Sequence, residues 1–66
     1  MGTNLKMAQA LLKLGATTNF VRSSRVYIDL DRKENFPEVE KILKANKWCI
    51  VGSHVNSDGS MGIRAI

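Results

Sequence analysis

Between Arg25 and Asp31 the chain alternates strictly. Val26, Ile28 and Leu30 fall on one side of an extended backbone, and Arg25, Tyr27, Asp29 and Asp31 fall on the other. An apolar–polar period of two predicts a half-buried β-strand. Such a strand belongs in an antiparallel sheet covered on one side only. The fold must therefore set something apolar above Val26, Ile28 and Leu30 and leave the reverse of the strand open.

Two helical patterns can supply the cover. The first is capped by Thr3 or Asn4, either of which can accept a bond from an orphan backbone N–H. It runs through Leu5, Ala8, Leu11 and Leu12, with Met7 and Leu14 widening the stripe and Lys6, Gln9 and Lys13 on the solvated side. Gly15 ends it, because glycine accepts a left-handed backbone without steric cost. The second helix is expected to start at Asn35-Phe36-Pro37-Glu38, with Asn35 as the cap, Pro37 in the first turn and Glu38 reaching back in a capping box. Phe36, Val39, Ile42 and Leu43 form its buried stripe. Glu40 precedes Lys44 by four residues, a favourable spacing. Asn46 is the expected stop.

The two patterns are related. Leu11-Leu12-Lys13-Leu14-Gly15 recurs 31 residues later as Ile42-Leu43-Lys44-Ala45-Asn46, and β-favouring residues follow each copy. After the first come Thr17 to Arg22, a turn at Ser23-Ser24 and the alternating strand. After the second come Trp48-Cys49-Ile50-Val51, a bulge marked by Gly52, turn formers from Asn56 to Ser60 pivoting on Asp58-Gly59, and a returning strand with Met61, Ile63 and Ala65 alternating. The stretch Gly52 to Gly62 is read as a long, mobile hairpin loop. The order is α-β-β-α-β-β. The expected fold is α+β: a small two-layer domain with a four-stranded antiparallel sheet and two helices on one face. It forms one domain over residues 1–66, with residues 3–31 and 35–66 as tandem αββ units. The returning strand, Met61 to Ile66, is expected to be integral to the sheet and to be its exposed edge.

Length and cysteine content exclude several classes. A chain of 66 residues has room for one core and none for a second domain. One cysteine, Cys49, cannot close an intramolecular disulfide, which favours a reducing, cytoplasmic compartment. No apolar run approaches the roughly 20 residues that span a bilayer. The segment Leu5 to Leu14 is interrupted by charge and lacks a signal-peptide cleavage pattern, so it belongs to the fold.

No catalytic motif stands out. Cys49 and His54 are five apart, which on a regular strand places them on opposite faces. Cys49 reads as a buried thiol in an apolar run, and His54 as a solvated loop residue. Asp29 and Asp31, with Glu34 beyond, offer too few ligands for a hard cation, and Arg25, Arg32 and Lys33 lie near enough to pair with them. One Cys and one His do not make a zinc site. The Gly/Ser-rich stretch is not followed by a helix, so it is no phosphate loop. The expectation is a non-enzyme without cofactor or metal. The remaining enzymatic option is a site assembled across an oligomer around His54 and Asp58.

Charge carries the functional cue. Ten Lys and Arg against six Asp and Glu give +4, which suits an anionic partner. Arg22-Ser23-Ser24-Arg25 gathers two guanidiniums and two hydroxyls in one turn. Lys41, Lys44 and Lys47 recur at spacing three. Tyr27 and Arg64 can join Arg25 on the open sheet face, an aromatic–basic mixture suited to single strands. The chain therefore reads as a small intracellular binding or regulatory protein of phage or bacterial type. It would contact nucleic acid through Arg22, Arg25, Tyr27, Lys41, Lys44, Lys47 and Arg64. The alternative is a protein-interaction module, inhibitor or antitoxin-like, or a homodimer formed through a sheet edge.

Overall fold

The computed structural model describes residues 2–22 and 24–66, with backbone alone for Gly2, Thr3 and Arg22. The elements are α1 (Gly2–Leu12), β1 (Ala16–Arg22), β2 (Arg25–Leu30), a single 3-10 turn (Lys33–Asn35), α2 (Phe36–Ala45), β3 (Ile50–Val55) and β4 (Met61–Ala65). The strands form one antiparallel sheet in the order β1-β2-β4-β3. The α+β class and the αββαββ order are those expected from the alternation and the two helical stripes.

Both helices lie on one face. Val26, Ile28 and Leu30 of β2 and Met61, Ile63 and Ala65 of β4 are buried together with Met7 and Leu11 of α1 and Val39 and Leu43 of α2. Ile28 and Ile63 face each other across the central pair and are fully buried. Phe36, Ile42, Trp48 and Ile50 pack around this cluster. In α2 the buried stripe is the expected one. In α1 it is shifted: Met7, Leu11 and Leu14 face inward, whereas Leu5 and Leu12 are 61% and 65% exposed. Two apolar ladders overlap in this helix, and only one can meet the sheet.

The returning strand is not an edge. β4 lies between β2 and β3, and the edges are β1 and β3. β3 runs parallel to β2 with β4 inserted, so β2–α2–β3 is a split βαβ unit. β1 and β4, at opposite ends of the sequence, stand in the same relation about β2. β3 also continues through Gly52, Ser53, His54 and Val55, so the stretch read as a long loop is mostly strand. The true loop is short. Gly59 donates to the Asn56 carbonyl at 3.1 Å and takes φ +89°, and Asn56 donates to Ser60 at 2.8 Å. This is a three-residue hairpin loop with glycine at its left-handed position. Asp58 accepts bonds from the hydroxyl and the backbone N–H of Ser60, and the hydroxyl bond in particular holds its carboxyl below the usual aspartate range.

Helix ends depart from the sequence reading in three places. Asn4 sits inside α1 rather than ahead of it, while the side chain of Thr3 and the turn residue Ser23 lie outside the described residues. Asn35 precedes α2 but makes no side-chain cap; its Nδ2 reaches the Leu14 carbonyl at 3.0 Å, tying the start of α2 to the end of α1. Gly15 takes φ +76° and Asn46 is the C-cap that ends α2, both as expected, but the left-handed residue after α2 is the next one, Lys47, at φ +66°. Trp48 N–H reaches the Leu43 carbonyl at 2.9 Å and Lys47 N–H reaches Lys44 at 3.0 Å, the bond pair of a Schellman motif. Asn46 instead returns its amide to the Ile42 carbonyl at 2.8 Å.

A side chain held left-handed is strained by roughly 1–2 kcal/mol. Lys47→Gly should therefore stabilise the fold by about 0.5–1 kcal/mol, raising Tm by a few degrees in thermal denaturation. A lowered Tm would contradict the assignment of strain to this position.

Candidate functional site

The sheet face away from the helices is uncovered. The register fixes what it presents: Thr17, Asp29, Gly62 and His54 form one row across the strands, and Asn19, Tyr27, Arg64 and Gly52 form the next. Tyr27 is half-buried; Arg25, Arg64 and His54 are exposed. This is the face opposite Val26, Ile28 and Leu30, as the alternation requires.

Glycine shapes its centre. A Cβ placed on Gly62 would lie 2.7 Å from Tyr27 Oη and 2.8 Å from His54 Nε2, and closer still to His54 Cε1. A Cβ on Gly52 would lie 2.6 Å from Arg64 Nη2, 3.1 Å from Nε and 3.2 Å from Cζ. The missing methyl groups are therefore occupied. The Tyr27 phenol and the His54 imidazole share the recess over Gly62, and the Arg64 guanidinium rests in the recess over Gly52.

Two bulges shape its rim. The β1–β2 register shifts between Phe20 and Arg22, and the β3–β4 register shifts between Ile50 and Gly52. The extra residues are Val21 and Val51, both exposed at more than half of their surface. A bulge re-aims the side chain it carries, and these two wall a shallow groove of about 610 Å³ on the open face. Arg25, Val26, Tyr27, Arg64, Ala65 and Ile66 complete its lining, and among the described residues no acidic side chain joins them. Among the described residues the ion pair within 4.0 Å is Glu40–Lys44, at 3.5 Å on the surface of α2. The expected pairing of Asp29 and Asp31 with Arg25, Arg32 and Lys33 is not made. Among the described residues, neither groove guanidinium has a carboxylate partner within 4.0 Å.

The sequence-derived set divides. Arg25, Tyr27 and Arg64 come together on the open face. Lys41 and Lys44 are exposed on α2 in the opposite layer, and Lys47 follows that helix. A ligand lying on the open face does not meet the α2 pair. The side chain of Arg22 lies outside the described residues, though its backbone pairs with Arg25. His54, Gly52 and Gly62 were missed as site residues, because Gly-Ser-His composition resembles a loop. The bulge at Val51 also changes side-chain parity. Cys49 exchanges backbone bonds with Ile66 and His54 pairs with Gly62, so both belong to the open face and not to opposite ones. Cys49 is exposed rather than buried.

No protein-family model matches the chain, and no curated protein or solved structure is significantly similar to it. No helix among the described residues is long and apolar enough to cross a membrane.

Gly62→Ala should displace the Tyr27 and His54 side chains while leaving the fold largely intact, because flexible tips move more cheaply than backbone. The expected result is a stability change within about 1 kcal/mol with clear shifts of the Tyr27 and His54 ring resonances in NMR spectra. Unchanged ring resonances would contradict the shared recess.

Proposed function

We propose that the protein is a small non-enzymatic binding module that engages nucleic acid through its open sheet face. The observation that carries this reading is the groove between the two bulges. It combines a tyrosine, two guanidiniums that have no carboxylate partner among the described residues, and apolar walls, on a chain of net charge +4. Guanidiniums bind phosphate by charge-assisted, bidentate bonds, and apolar and aromatic surface beside them suits bases. Residues of this kind bind rather than transform a ligand. Among the described residues, His54 has no hydrogen-bonded carboxylate to orient it as a base.

Strand addition by a protein partner or a second copy is the weaker reading. The edges open to it are β1 and β3, and each carries a bulge that interrupts a regular ladder.

Affinity for a single-stranded oligonucleotide should fall steeply between 50 and 200 mM salt, with a logarithmic slope of about −0.7 for each phosphate neutralised. Arg25→Ala and Arg64→Ala should each weaken binding and flatten that slope by about one such increment, whereas Lys41→Ala should leave both nearly unchanged. Absence of binding at low salt, or a larger loss for Lys41→Ala than for Arg64→Ala, would contradict the assignment.

A further inference from the structure

Gly52 and Gly62 do more than tolerate their neighbours. Each lies on the open face of an inner or adjoining strand where a side chain would otherwise stand upright. In each case a planar group from the next strand has reclined into the space. Tyr27 is anchored on β2 beside Arg64, yet its Oη reaches the position above Gly62 on β4, within 2.7 Å of where a Cβ would be. Its ring therefore lies across the sheet rather than projecting from it. Three atoms of the Arg64 guanidinium sit at 2.6–3.2 Å from the corresponding point above Gly52 on β3, so that group also lies against the backbone. A reclining ring turns a face to solvent. Among the described residues the aromatic pair is Phe20–Trp48, so neither of those rings is stacked on Tyr27, and the His54 imidazole shares the recess near its Oη end.

We propose that these two reclining groups form a stacking platform for unpaired bases, so that the face takes single-stranded nucleic acid and reads it through the bases as well as the phosphates. The inference rests on the nucleic-acid reading above and names the strandedness and the contacted group. Unpaired bases are held on aromatic rings and on guanidinium planes, and this face offers one of each, recessed side by side. Val21 and Val51 stand on the two edge strands, which are three strand spacings, or about 14 Å, apart at the backbone. A base laid on Tyr27 is flanked by these valines. Arg25, at the groove's other end, is placed for a neighbouring phosphate. A duplex keeps its base faces stacked internally and can offer this platform only its phosphate rim.

The test uses the full chain and three probes of nearly equal charge: a twenty-residue thymidine strand, the same backbone with abasic residues, and a ten-base-pair duplex. Fluorescence anisotropy at low salt should show the abasic strand bound at least about tenfold more weakly than the thymidine strand, the range expected for loss of base stacking. Tyr27→Phe should keep that ratio, and Tyr27→Ser should collapse it toward one; Tyr27 is partly exposed and outside the core, so both variants should fold. Equal affinity for thymidine and abasic strands with a steep salt dependence would overturn the platform and leave the phosphate reading standing, as would preference for the duplex. No binding to any of the three would overturn both.

Discussion

The pairing of β2 with β4 about Ile28 and Ile63 organises everything else in this molecule. The two isoleucines are fully buried beneath α1 and α2, and their register dictates the facing of every other residue on the central strands. Because side chains alternate, a slip of one residue in either strand would bring Tyr27 or Arg64 beneath the helices and push an isoleucine into water. The desolvation of a guanidinium against the loss of a buried aliphatic side chain makes such a slip prohibitive. The open face is thus the necessary complement of the core: Tyr27 and Arg64 are where they are because Ile28 and Ile63 are not.

On that frame, departures from regularity give the open face its shape. A uniform sheet would present a flat field of upright side chains. Two glycines instead lower Tyr27, His54 and Arg64 onto the backbone, and two bulges raise Val21 and Val51 at the rim. Both bulges also interrupt edge strands, so the same local irregularity that walls the groove discourages strand addition. The helical layer contributes stability and the placement of the sheet, while its lysines face away from the groove.

Much of this is legible in the sequence. The alternation from Arg25 to Asp31, the stripe of Phe36, Val39 and Leu43, and the left-handed stop at Gly15 follow from local periodicity and backbone sterics. What is not legible has nonlocal causes. Nothing near Met61 reveals that its strand pairs on both sides, since strand order depends on distant partners. Asn35 has the composition of a cap but finds the Leu14 carbonyl, 21 residues earlier, more accessible. The α1 sequence carries two apolar ladders, and only packing selects Met7 and Leu11. Glycines at 52 and 62 resemble turn residues because a recess for a neighbouring ring leaves no local pattern. The bulge at Val51 then reverses the parity that would have separated Cys49 from His54.

The contact surface proposed for this protein is the uncovered sheet face and not the helical layer. A titration of the isotopically labelled protein with a single-stranded oligonucleotide, followed by NMR chemical-shift mapping, tests it most directly. Perturbations are expected to concentrate at Val21, Arg25, Tyr27, Val51, His54 and Arg64, with Lys41 and Lys44 unaffected. Perturbations confined to α1 and α2, or none at saturating strand, would contradict it.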